Sequence, residues 1–368
     1  MKKYLFSILT AAAFLFSGNL YAAQDSKIQL AILLDTSNSM DGLINQARTH
    51  IWRIVNELNR MKKDGRHAVL EVALYEYGND YIPRSEGHIR QVAAFTCDLD
   101  LISEKLFSLR TNGGDEYCGQ VIDTALRNLR WSDSKGDLKL IVIAGNEPFT
   151  QGYFDFRNAV SFASRMGVIV NTVFCGSREE GIRTGWKNGS DLACGRFVNI
   201  DHNSNYCEMD TPYDRTILDL GNRLNSTYVP YGYEGDYKKQ RQSAQDKLAE
   251  ESAPAAGINR SVAKSSSGYN ASSWDMVDAY EKGGLKLESL KKSDMPSSMS
   301  NYSKSDVEKY VKDKSVERKK IQKEIENLNF KRRQYLEANQ KKNGTDTFDS
   351  AVIKIIQDQA KDKKFNIN

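Results

Sequence analysis

Asp35, Ser37 and Ser39 occupy alternate positions of one short stretch, an acid and two hydroxyls that a tight loop brings to one side. These are hard oxygen ligands, suited to Mg²⁺, Mn²⁺ or Ca²⁺. Two later stretches can add to them: Asp115 in the glycine-rich Asn112-Gly-Gly-Asp-Glu-Tyr-Cys-Gly119, and Asn146 and Glu147 in Ala144-Gly-Asn-Glu-Pro-Phe149. A plainer reading has Asp35 capping the next helix while the two serines hydrogen-bond the turn. A catalytic reading has Asp35, Asp115 and Glu147 holding one ion for hydrolysis. It is the weakest, because the chain has no activated serine context, no cysteine–histidine arrangement and no P-loop.

The elements around these residues follow from periodicity. Residues 28–34 form an apolar run that ends abruptly in Asp35, as a buried parallel strand does when it delivers polar groups to the carboxyl edge of a sheet. Apolar residues at spacings of three and four predict a helix over about 41–61. Strands follow at 68–77, 87–95 (polar, hence an edge), 138–144, 168–174 and 196–200, with helices over Leu99–Leu109, from Val121, at 154–166 and at 212–225. Thr96 or Asp98 can cap the first of these helices. The alternation predicts an α/β fold, a doubly wound, mostly parallel six-stranded sheet with a C-terminal helical extension.

Composition changes after residue 232. Residues 238–251 read as a polar helix, 252–273 as a Ser/Ala/Gly-rich linker, and 304–341 as a long helix whose apolar stripe is interrupted by Lys314, Arg318 and Arg332. Those breaks argue against a coiled coil and for a helix laid over the rest of the molecule. A last amphipathic helix carries Phe348, Val352, Ile355, Ile356 and Ala360. The expected organisation is a signal peptide at 1–23, an α/β domain at 26–232, a linker and docking segment at 233–302, and a helical tail at 303–368.

The first 23 residues run from a basic start through a short apolar core to Ala22-Ala23, the order of a secretory signal peptide. No later stretch is long and apolar enough to span a bilayer, so a periplasmic or secreted protein without a transmembrane segment is expected. Residues 24–230 carry 23 Lys/Arg against 27 Asp/Glu and residues 231–368 carry 27 against 21. The basic excess of the tail is modest and interleaved with acids, which makes a solvated helical surface rather than a nucleic-acid groove. The five cysteines give no zinc-ligand pair, and His50, His67, His88 and His202 are scattered.

Residues 26–232 resemble a von Willebrand factor type A domain, whose metal-ion-dependent adhesion site opens with the Asp-x-Ser-x-Ser pattern seen at Asp35, Ser37 and Ser39. More closely, the chain is similar to bacterial exported proteins of undefined function that pair such a domain with a Lys-rich helical tail. Asn112–Gly119, Ala144–Phe149, Asn171-Thr-Val-Phe-Cys-Gly176 and Trp274-Asp-Met-Val-Asp278 carry that likeness. The resemblance implies a Mg²⁺ or Ca²⁺ ion and an exported module that binds a protein partner. Asp115 stands where a threonine ligand is expected, and the third-loop aspartate falls on Ala144 or Gly145, leaving Asn146 and Glu147 as substitutes. An acid at position 115 would repel an acidic partner residue. An envelope assembly role with a degenerate, metal-free site is the alternative. In the implied fold Cys118 and Cys175 both sit at the carboxyl edge of the sheet, which predicts a Cys118–Cys175 disulfide, with Cys175–Cys207 second and Cys97 free.

Overall fold

The computed structural model describes residues 25–200, 209–252, 254–266, 268–343 and 348–366. The expected signal peptide, Cys207 and His202 lie outside the described residues. In chain order come β1 (Lys27–Asp35), α1 (Ile44–Asn59), a hairpin of β2 (Lys62–Lys63) and β3 (Arg66–His67), β4 (Val69–Tyr77), β5 (Ile89–Thr96), α2 (Leu99–Ser108), α3 (Cys118–Asn128), β6 (Leu138–Gly145), α4 (Phe156–Arg165), β7 (Ile169–Cys175), α5 (Arg178–Arg183), α6 (Trp186–Leu192), β8 (Phe197–Ile200) and α7 (Asp214–Asn225). Asp98 caps α2 by accepting from the Leu101 N–H. The short α5 and α6 fall between the strands expected at 168–174 and 196–200, where the sequence analysis placed no helix.

The six strands form one sheet in the order β5-β4-β1-β6-β7-β8, parallel except for the antiparallel edge strand β5. Strand order reverses between β1 and β6, so a crevice opens at their carboxyl ends, and Asp35 ends β1 there. Alternation along β1 divides the core. Ile28, Leu30, Ile32 and Leu34 face α1 and α2, while Ala31 and Leu33 face α3, α4 and α6.

That division overturns the expected disulfide. Cys175 packs in the first of these clusters and Cys118 in the second, on opposite faces of the sheet. Both are buried free thiols, as the exposed Cys97 and Cys194 are also free. A shared edge does not suffice for a bond that needs Cα atoms within about 7 Å and converging side chains.

The C-terminal region is tightly built. It contains α8 (Gly235–Ser252), α9 (Pro254–Ser265), α10 (Met276–Glu281), α11 (Lys304–Asn343) and α12 (Phe348–Asp362). The stretch read as a linker is instead the buried helix α9. Its small residues allow close packing on α7, where a Cβ on Gly221 would collide with Ser261. Two of the three polar breaks in the α11 stripe, Arg318 and Arg332, are anchors. Arg318 is buried between Asp275 and Asp278 (2.6 Å each), donates to the Thr227 carbonyl and lies over the Tyr228 ring. Arg332 pairs with Asp214 at 2.7 Å. On the other side, Arg260 and Lys264 of α9 are buried against Asp100 and Asp246. The last helix covers the first face of the sheet with Ile356 and Ala360, followed by Phe365.

Candidate functional site

β1 delivers Asp35 to the crevice, and the Thr36 N–H donates to the Tyr77 carbonyl at 2.9 Å, keeping the chain in line for one more residue. The loop then turns on the Asp35 carboxylate, whose Oδ1 accepts from the Ser37 N–H at 2.8 Å. This turn sets the Ser37 and Ser39 hydroxyls 2.8 Å apart. Asn146, one residue past β6, closes the group: the Ser39 hydroxyl donates to its Oδ1 at 2.9 Å, and its Nδ2 donates to the Ser39 carbonyl at 3.2 Å. Four of the expected residues, Asp35, Ser37, Ser39 and Asn146, therefore meet at the switch point.

Asp115 is engaged elsewhere. Its Oδ2 accepts from the Tyr117 hydroxyl at 2.7 Å, and it lies in the field of Arg84. The second-loop acid beside Asp35 is its neighbour Glu116. A Cβ on Gly78 would stand 2.8 Å from both Asp35 Oδ1 and Glu116 Cγ, which measures how closely the two acids approach. Gly78 holds a left-handed φ of +74, and its bareness gives the carboxylates room. Sequence reasoning missed Glu116. Its one signal is a place next to Asp115 on the Gly113-Gly114 loop, and nothing local ranks one acid above the other.

The electrostatics are unusual for two acids. Burial raises Asp35 to about 7; Ser37 and the Asn146 backbone counter part of this, and the charge of Glu147 adds to it. Burial, then the charges of Asp35 and Glu147, raise Glu116 to about 8. Asp35 Oδ2 is buried with no hydrogen-bond partner among the described residues. Glu147 thus acts on the site through its charge, while its carbonyl accepts from the Trp186 indole at 2.8 Å. Below, the buried Tyr77 hydroxyl donates to the Ala144 carbonyl at 3.0 Å. A Cβ on Gly145 would crowd that hydroxyl at 2.5 Å and Asp35 Oδ2 at 3.0 Å. Tyr81, in the connection after β4, and Tyr153, in the connection after β6, are 80% and 94% exposed.

Among the described residues no three His, Cys, Asp or Glu side chains stand close enough to hold a metal ion by themselves. An ion here would depend on hydroxyl oxygens as well as acids. The donor set fits that demand: two hydroxyls, an unpartnered carboxylate oxygen and a second buried acid, all hard.

Residues 29–181 match the family model of the von Willebrand factor type A domain, and this stretch is such a domain. Domains of this type mediate protein interaction and often hold a divalent ion at a metal-ion-dependent adhesion site. No curated protein matches the chain. Similar solved structures include BatB from Bacteroides thetaiotaomicron (18% identity, 47% of this chain and 90% of that one, TM-score 0.35). An aerotolerance-related membrane protein from Bacteroides fragilis gives 18% identity, 48% and 92% coverage and a TM-score of 0.32. Proximal thread matrix protein 1 from the mussel byssus, with a zinc-occupied site motif, gives 10%, 49%, 43% and 0.36. No helix among the described residues is long and apolar enough to cross a membrane.

Proposed function

We propose that the von Willebrand factor type A domain of this chain is an exported protein-binding module with a divergent divalent-cation site. The ion is Mg²⁺ or Ca²⁺, and its protein ligands are Asp35, Ser37, Ser39 and Glu116, with Asn146 and Glu147 at the margin. The observation that carries this reading is the unpartnered Oδ2 of buried Asp35 next to buried Glu116. Two acids held close, without a cationic side chain between them, are stable as a proton-sharing pair or as a cation site. When bound, the ion supplies positive charge at the mouth of the crevice and an open position for an oxygen of the partner.

This chain's residues then set the kind of partner. Glu116 and Glu147 keep the mouth acidic, so an incoming carboxylate meets more repulsion than a neutral carbonyl or hydroxyl does. Tyr81 and Tyr153 offer exposed aromatic surface of the kind that anchors protein interfaces. The reading is of a binding module, not an enzyme. Export rests on the basic, apolar and small-residue order of residues 1–23.

Titration calorimetry of metal-free protein with Mg²⁺, Ca²⁺ and Mn²⁺ tests the site. Saturable heat at millimolar or lower concentration, lost in Asp35→Ala, is expected. No heat for any ion, with an unchanged melting temperature in excess metal, removes the cation from the proposal, because an ion that binds the folded state raises its stability.

A further inference from the structure

At the amino edge of the sheet, opposite Asp35, the end of α1, the β2–β3 hairpin, α9, α11 and α12 enclose a cavity of about 530 Å³. That volume is in the range of small-molecule sites. Its charged lining is unbalanced: Arg60, Lys62, Arg333 and Lys361 against the single carboxylate of Glu326. Lys361 is shared with Asp358 at 3.4 Å, and Arg60 reaches Glu57 at 3.4 Å. Among the described residues Arg333 has no carboxylate partner of this kind. Its Nε is buried with no hydrogen-bond partner among the described residues, as is His67 Nδ1 across the cavity. Burial and then the charge of Arg333 hold the Arg60 guanidinium below the usual arginine range.

Arg318 and Arg260, two buried guanidinium groups of the C-terminal region, are each met by two carboxylates. Arg60 and Arg333 both line the cavity, and an anion placed between them would accept from both forks. The rest of the lining is mixed: Met61, Val262, Phe330 and Phe365 give it apolar surface, beside polar Ser265, Ser266, Asn329, Gln357 and Asn366. Phe330 is 54% exposed on the same helix that buries Ile321 and Ile325.

We propose that this cavity binds a small organic anion, its phosphate or carboxylate head between Arg60 and Arg333 and its short apolar body along Phe330. The site is separate from the cation site and joins the α/β domain to the C-terminal helices, so its ligand stabilises their union. The probes are hexyl phosphate, hexanoate, inorganic phosphate and hexylamine, titrated into the full chain by calorimetry and by thermal melt. Hexyl phosphate or hexanoate should bind saturably and raise the melting temperature, the tighter of the two naming the head group, while hexylamine does neither. Arg333→Gln should weaken binding at least tenfold yet leave the unliganded melting temperature equal or higher, because it removes the Arg60–Arg333 repulsion. Asp35→Ala should leave this binding unchanged. No saturable binding of either organic anion overturns the proposal, as does unaltered affinity in Arg333→Gln. A lower unliganded melting temperature in that variant assigns Arg333 a structural role and overturns it too. Inorganic phosphate binding as tightly as hexyl phosphate overturns the apolar half.

Discussion

Asn171 on β7 and Gln359 on α12 exchange amide hydrogen bonds of 3.0 and 2.8 Å, although 188 positions separate them in sequence. Both are buried, and Asn171 Oδ1 also accepts from the Arg196 N–H at 2.9 Å. The last helix is therefore part of the cover of the sheet, and the tail is fastened to the domain at its far end as well as along α11.

Gln359→Ala should lower stability by about 1–3 kcal/mol, the cost of leaving a buried amide group unpaired. Removing residues 348–366 should cost more, because it also uncovers the apolar face that Ile356 and Ala360 protect. Urea denaturation of the two variants checks this. A tail-deleted protein that melts like the parent would show that α12 is an ornament on a self-sufficient domain.

Arg318 offers a second test of how the tail is held. It pairs with buried Asp275, which burial holds above the ordinary aspartate range and Arg318 pulls back down. Arg318→Met should destabilise by about 3–5 kcal/mol, because it leaves an uncompensated acid inside. Asp275→Asn in the same chain should recover part of that loss. Equal stability of parent and Arg318→Met would mean that the ion pair is no anchor.

Most strands were legible because they are short apolar runs bounded by turn residues, and Ile28 to Leu34 alternates between two buried faces. The C-terminal packing was not. In α9, alanine, serine and glycine look like linker composition, yet small side chains are what let it approach α7 at Gly221. Arg318 and Arg332 looked like breaks in a stripe because their partners, Asp275, Asp278 and Asp214, are distant in sequence. The cysteine prediction failed for a related reason: strand order places Cys118 and Cys175 at one edge, but only side-chain direction shows that they face opposite ways. At the site, the Asp-x-Ser-x-Ser loop was readable as a unit, whereas the loop after Gly113-Gly114 presents two acids in succession.

The acid pair makes the metal-free protein sensitive to pH with a definite sign. Asp35 and Glu116 move from ordinary values of 3.8 and 4.5 to about 7 and about 8 in the folded state. Between those limits the folded protein holds more protons than the unfolded chain, so stability falls as pH rises. In chelator, unfolding free energy should drop by about 3 kcal/mol from pH 5 to pH 8.5. A tenfold change in acidity is worth about 1.4 kcal/mol, and the solvent that still reaches Glu116 screens part of the total. Saturating Mg²⁺ or Ca²⁺ should shrink that drop. Metal-free protein more stable at pH 8.5 than at pH 5 would contradict the pairing.

The choice between the two second-loop acids can be made directly. The Asp115 carboxylate already accepts the Tyr117 hydroxyl, while Glu116 is buried within reach of Asp35. Glu116→Gln should therefore weaken divalent-ion binding at least tenfold and, by removing one of two repelling charges, raise metal-free stability at pH 8. Asp115→Asn should change ion affinity by no more than about twofold, the scale of a screened charge at a distance. The two effects have opposite signs for Glu116, so a variant that is merely misfolded cannot imitate them: damage lowers both binding and stability. Calorimetry and melting curves on the pair, each at pH 8 with and without ion, make the comparison. If Asp115→Asn abolishes binding and Glu116→Gln spares it, the loop must rearrange on binding, and the ion is held by the acid that turns away in the metal-free fold.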